Sequence, residues 1–235
     1  MNFKQWFHSI FKNRITDCSD GRDERNKEYS VSDIILGASP ITRYWNCCAN
    51  LDQGKEGMCA GFATVHEIIS DPVPLKLTKA NGEDLARRCY NWAQIHDEWK
   101  GEAYSGTSVN AVMKWSKSRG YIESYHWAFG IDDLILAVCH KGPAVLGISW
   151  YDGMHKPKGG FIKPTGKKTG RHAILCNGYN AETEVFTLHN SWGRRWGYKG
   201  ECFITKDDME RLLDEQGVAA IPTGRKALNT KREGA

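Results

Sequence analysis

Apolar positions between residues 58 and 140 recur at helical spacing, whereas beyond Pro143 they fall into short blocks broken by glycine. In Met58–Ser70, Phe62, Val65, His66 and Ile69 share one face and Gly57 stands just before the start, so the spacing predicts a helix. Asp84–Glu98, Thr107–Arg119 (closed by Gly120) and Asp132–His140 read as further helices. Ala144–Trp150, His172–Tyr179, Val185–His189 and Glu201–Thr205 read as strands. Helices first and strands afterwards predict an α+β protein of two lobes. The expected body runs from 44 to 221, with a helical lobe over 44–140 and a β-rich lobe over 141–221. Lys141-Gly142-Pro143 marks their border.

The ends have a different texture. Residues 1–43 read as an amphipathic segment followed by a charged linker. Phe3, Trp6, Phe7, Ile10 and Phe11 make one apolar stripe flanked by Lys4, Lys12 and Arg14, and Asp17–Glu28 is a dense mixed-charge run. The stripe suits docking on the body, or peripheral attachment to a membrane or a protein partner. Residues 222–235 are basic and polar, and are expected to be a disordered tail.

Composition narrows the class. With 40% apolar and 26% charged residues and nine tryptophans, the chain has the makings of a globular core rather than a disordered segment. Its formal charge of +4, from 32 basic and 28 acidic residues, is too mild for a nucleic-acid binder. No apolar run has the length of a transmembrane helix, and Met1–Arg14 lacks the continuous core of a secretory signal. Eight cysteines without regular spacing point to reduced thiols and a cytoplasmic location. Cys47 and Cys48 are adjacent and lack the usual ligand spacing, so neither a metal nor a cofactor is expected.

Three stretches hold residues that could do chemistry. Cys59 follows a glycine-rich turn, Asp52-Gln53-Gly54-Lys55-Glu56-Gly57-Met58, and falls in the first turn of an apolar helix, where the dipole favours thiolate over thiol. A cysteine taken alone is more often a small buried hydrophobe. A nucleophilic thiol needs a base, and the base needs an orienter. His172 enters a strand after Gly170-Arg171, and Asn190 leaves another just before Ser191-Trp192-Gly193. Adjacent antiparallel strands would bring the imidazole and the amide together. Gln53 can supply a side-chain N–H to a developing oxyanion, with the Cys59 backbone N–H as the second donor.

These stretches resemble the papain family of cysteine peptidases, from about Tyr44 to Ile221, in the blocks Gln53–Phe62, Gly170–Tyr179 and Asn190–Ile204. The last, Asn-Ser-Trp-Gly-x-x-Trp-Gly-x-x-Gly-x-x-x-Ile, is specific by itself. Ser105-Gly106-Thr107-Ser108 and Lys141-Gly142-Pro143 agree with it, the former as in bacterial-type members. The resemblance implies a papain-like fold with its cleft between the lobes, and a thiol peptidase acting on protein or peptide. Cys59 would be the nucleophile, His172 the general base and acid, Asn190 the orienter, and Gln53 an oxyanion donor. Trp192 would shield the His172–Asn190 bond, backbone around Ser105 and Gly106 would hold substrate, and Gly147 and Ala173 would line the specificity pocket. An amidase, isopeptidase or transferase could use the same triad, and a silent binding module could keep the fold.

The sequence also departs from the family. Ala60 replaces the usual aromatic, which loosens the cleft, and Glu56 stands where secreted members have a disulfide cysteine. Arg171 puts a cation beside His172, which weakens a thiolate–imidazolium pair if it points inward. The family's long propeptide has no room before Gln53; docking by Phe3–Phe11 is favoured over a plug.

Overall fold

A computed structural model of the chain describes residue 18 and residues 28–98 and 105–225. The Phe3–Phe11 stripe lies outside the described residues. Among them no helix is long and apolar enough to cross a membrane.

Helix α1 (Cys59–Ile68) is buried along its whole length. It packs between α2 (Lys79–His96) and α3 (Val109–Ser118) on one side and the sheet on the other. Gly61 permits the α1–α2 approach, since a Cβ there would fall 2.5 Å from the Ala86 carbonyl oxygen. The α2 helix starts earlier than its apolar pattern suggests, because Thr78 caps it through the Asn81 amide at 3.3 Å. Ser108 caps α3 in the same way, accepting from Ala111 at 2.9 Å.

The sheet is antiparallel throughout, in the order β2 (Ser124–Trp127), β7 (Val218–Thr223), β3 (Ala144–Tyr151), β4 (Lys168–Asn180), β5 (Val185–His189) and β6 (Glu201–Thr205). A short β1 (Arg43–Tyr44) pairs with β4. Both faces of its centre are buried, which explains the unbroken apolar runs. Val145, Ala173, Leu175 and Ala220 face the helical lobe. Leu146, Ile148, Ile174 and Ile221 face the second core, with α4 (Ile131–His140) and α5 (Lys206–Asp214).

The two-lobed α+β architecture is as expected, but three boundaries move. The α4 helix, assigned from sequence to the helical lobe, buries Leu134, Ala137 and Val138 in the β-rich core, so the lobes divide before it rather than at 141–143. Residues assigned to the N-terminal linker belong to the body, since Val31 and Ile35 are buried in that core and Arg43 pairs with Tyr179. The tail expected from 222 begins later: Pro222 and Thr223 pair with Tyr125 and Ser124. Arg225 then meets the buried Glu67 carboxylate at 3.0 Å and donates to the Ser70 and Asp71 carbonyls at 2.8 Å. A cation at the C-terminal end of α1 complements its dipole.

Candidate active site

Cys59 opens α1, whose N-cap residue Met58 makes no side-chain capping bond, so the first-turn N–H groups and the positive end of the dipole meet at the thiol. Across the lobe border the Ala173 amide donates to Cys59 Sγ at 3.4 Å. His172 therefore enters the cleft from the strand that touches the thiol. Its Nε2 is bonded to Asn190 Oδ1 at 2.8 Å. Because that oxygen can only accept, Nε2 carries the proton and Nδ1, buried and without a hydrogen-bond partner, is the basic nitrogen. Asn190 Oδ1 also accepts the Ser191 amide at 2.8 Å, which fixes the side chain's orientation.

Burial pushes His172 down to about 4; the Asn190 bond opposes this and His155 adds to it. Arg171 is not among the causes. Its guanidinium turns away along the strand and donates to the Gly147 and Gln216 carbonyls at 3.0 and 2.8 Å. Alternation along β4 sends the two neighbouring side chains to opposite faces.

An aromatic shell surrounds the imidazole. Trp150 lies 4.7 Å and Trp192 5.1 Å from the His172 ring, and His155 stacks on Trp192 at 5.6 Å with an interplanar angle of 11°. Trp192, expected to shield the His172–Asn190 bond, lies beside the His172 ring. Trp150 and His155 were missed; Trp150 looks like any core position of an apolar strand, and His155 lies in a loop without a motif.

Gln53 is fully buried and built into the loop that carries Asn190. Ser191 Oγ donates to its Oε1 at 2.5 Å, and its backbone N–H donates to the Ser191 carbonyl at 2.9 Å. Gly193 N–H to Leu51 O at 3.1 Å and an Asp52–Trp192 bridge extend this ladder. One hydrogen of the Gln53 amide is committed to the Glu56 carbonyl at 2.8 Å. Ser191 is a further residue the sequence reading overlooked, because its partner lies far away in the chain.

The expected substrate positions are modified. Ser105 is exposed, while Gly106 donates to Tyr90 Oη at 3.2 Å and accepts from Gln94 at 3.3 Å. Extended pairing on this wall of the cleft occurs at Thr107, which bridges residue 18. Gly147 stands opposite Ala173 on neighbouring strands, as a pocket floor requires. A Cβ at Gly147 would meet Val218 Cγ2 at 2.9 Å and Cys18 Sγ and Val109 Cγ2 at 3.1 Å. Cys18 thus sits in the expected pocket, with its amide donating to the Arg171 carbonyl at 3.0 Å.

A family model described as papain family cysteine protease matches residues 76–221. That span takes in His172 and Asn190 and begins after Cys59. Gamete and mating-type specific protein A of Dictyostelium discoideum is 30% identical over 176 residues, covering 66% of this chain and 39% of that protein. Cathepsin B-like protease 1 of Arabidopsis thaliana is 27% identical over 120 residues, covering 49% of this chain and 32% of its own length. The chain thus spans about a third of these relatives. Among solved structures, xylellain, a cysteine protease from Xylella fastidiosa, matches with a TM-score of 0.59 at 18% identity, covering 91% of this chain and 96% of that one. Digestive procathepsin L2 from Tenebrio molitor gives 0.61 at 20%, covering 92% and 80%. The fold is shared with both, and with the family match spanning most of the body, the chain belongs to the papain family of cysteine proteases.

Proposed function

We propose that the chain is a cysteine peptidase hydrolysing peptide bonds of a protein or peptide substrate through a Cys59 acyl-enzyme. The observation that carries this reading is the chain of contacts from Cys59 Sγ to the Ala173 amide, and from His172 through Nε2 to Asn190, with His172 Nδ1 left as a buried base. His172 Nδ1 takes the thiol proton, and the sulfur attacks the scissile carbonyl carbon. The Cys59 backbone N–H and a Gln53 Nε2 hydrogen stabilise the oxyanion. The imidazolium then gives its proton to the leaving amine nitrogen as the C–N bond breaks. Water, deprotonated by the same nitrogen, hydrolyses the thioester and restores the thiol. Trp150 and Trp192 keep bulk water from the His172–Asn190 bond. The irregular spacing of the eight cysteines supports a reducing, cytoplasmic setting as part of the same reading.

The test is labelling by an epoxide-type inhibitor of this family, read by intact mass with peptide mapping. One adduct on Cys59, absent from Cys59→Ala, is expected. Absence of label under reducing conditions, both on the wild type and on a variant with residue 18 expelled from the cleft, overturns the reading in favour of a silent module.

A further inference from the structure

The loops that follow β3 and β5 carry a charge imbalance that the proposed chemistry does not use. Residues 153–168 and 191–200 hold eight lysines and arginines and no aspartate or glutamate. The formal charge of the whole chain is +4, so these two stretches hold twice that and the remainder is negative. All eight cations are exposed. Acids stand only at one margin, where the Asp152 amide donates to the Lys167 carbonyl at 3.0 Å and Lys168 is within electrostatic reach of Glu215. Among the described residues Lys158, Lys163, Arg194 and Arg195 form no ion pair.

The two loops form one surface that starts at the catalytic group. Trp196 Nε1 donates to the His155 carbonyl at 3.0 Å, and the His155 ring stacks on Trp192 beside His172. Strand register fixes the side of the cleft. Gly147 pairs with Ala173, whose amide touches Cys59 Sγ, and Trp150 pairs with Gly170. Moving along β3 from Gly147 to Trp150 leads about 10 Å away from the expected specificity pocket, and the basic loops start beyond that point. They flank the side of His172 left for the leaving-amine part of a substrate. We propose that this surface recruits an acidic polypeptide segment, and that preferred substrates carry aspartate or glutamate on the leaving-amine side of the scissile bond. The second half rests on the peptidase reading; the first does not.

Charge complementarity calls for an anion, and continuity with the cleft calls for a polypeptide. Phe161 and Tyr198 are exposed among the cations and pack against Phe203 at 5.6 and 6.4 Å. Their planes are inclined to that ring by 52° and 34°, which makes an apolar strip rather than a row of platforms for stacked nucleobases. The mild overall charge concealed this surface in the sequence, because acidic residues elsewhere offset half of it.

The test uses the full chain carrying Cys59→Ala, so that binding is read without turnover. Fluorescence anisotropy follows labelled oligoglutamate, oligoglutamine and oligothymidylate of matched length. At roughly twofold per exposed ion pair, four pairs give about 15-fold tighter binding of oligoglutamate than of oligoglutamine in low salt, erased at about 1 M salt. Lys158→Glu combined with Arg195→Glu should remove most of that preference. Lys117→Glu combined with Lys141→Glu, outside the surface, should preserve it. Products from a peptide library cut by the otherwise unaltered chain should be enriched in acidic residues on the leaving-amine side, and the Lys158/Arg195 double variant should lose that enrichment. Equal binding of the two peptides, a preference that survives the double reversal, or tighter binding of oligothymidylate overturns the recruitment. Salt-sensitive oligoglutamate binding without acidic enrichment among the products overturns the substrate preference alone. If Cys59 takes no epoxide label while that binding persists, the peptidase reading fails and the recruiting surface stands.

Discussion

Replacing Cys18 with lysine should speed reaction at Cys59, although residue 18 is not part of the proposed chemistry. Residue 18 touches both walls of the cleft, through its amide to Arg171 O at 3.0 Å and its bridge to Thr107. Its sulfur occupies the space beside Gly147, Val109 and Val218. The amide bond contributes about 1 kcal/mol and burial of the thiol about 1 kcal/mol. Together they amount to about 2 kcal/mol, or a closed-to-open ratio of about 30, at roughly 1.4 kcal/mol per factor of ten. Ordering the chain there costs entropy, so 30-fold is a ceiling. A lysine ammonium among two valines is heavily penalised, and the Arg171 guanidinium bonded to Gly147 O adds a like charge. Residue 18 should therefore leave the cleft. The assay is the second-order rate of alkylation at Cys59, followed by peptide mapping so that no natural substrate is needed. A several-fold rise is expected; a rate equal to or below the wild type would refute the reasoning and leave residue 18 a packing element only.

Gln53→Ala should lower kcat by about 10²–10³ with little change in KM, the loss expected for one oxyanion donor, and a change confined to KM would argue against that role. His172 is fully buried and held at about 4 against an ordinary 6.5, so the unfolded chain takes up this proton first. Its contribution is present above pH 6.5 and is lost as pH falls from 6.5 to 4, by roughly 3 kcal/mol. Urea midpoints across that window should fall more steeply for the wild type than for His172→Gln, and equal slopes would contradict the burial argument. Gly193→Ala places a methyl 2.8 Å from Asp52 Oδ2 at a φ of +73°, so it should cost about 1–2 kcal/mol by loosening the Gln53–Ser191 ladder. Its urea midpoint should drop accordingly, and an unchanged midpoint would mean the loop relaxes without strain.

The parts of this molecule that were readable in its sequence are those whose cause is local. Cys59 and Asn190 sit where an apolar helix begins and a strand ends beside glycines; His172, expected at the start of a strand, lies within β4, which already begins at Lys168. The apolar spacings likewise predicted α4 and β3 as a helix and a strand that must pack against something. They could not say against what, which is why α4 was assigned to the wrong lobe. Pairing of Tyr125 with Pro222, the turn of Arg171 toward Gln216, and the Ser191–Gln53 bond join segments with no common spacing. The end of β5 shows the same division within two residues. Successive side chains at the end of a strand face opposite ways, so Asn190 reaches His172 while His189 turns to Glu201. The Asn-Ser-Trp-Gly motif identifies the first of these. His189 and His66 meet only because β5 and α1 pack together, and no spacing along the chain encodes that contact.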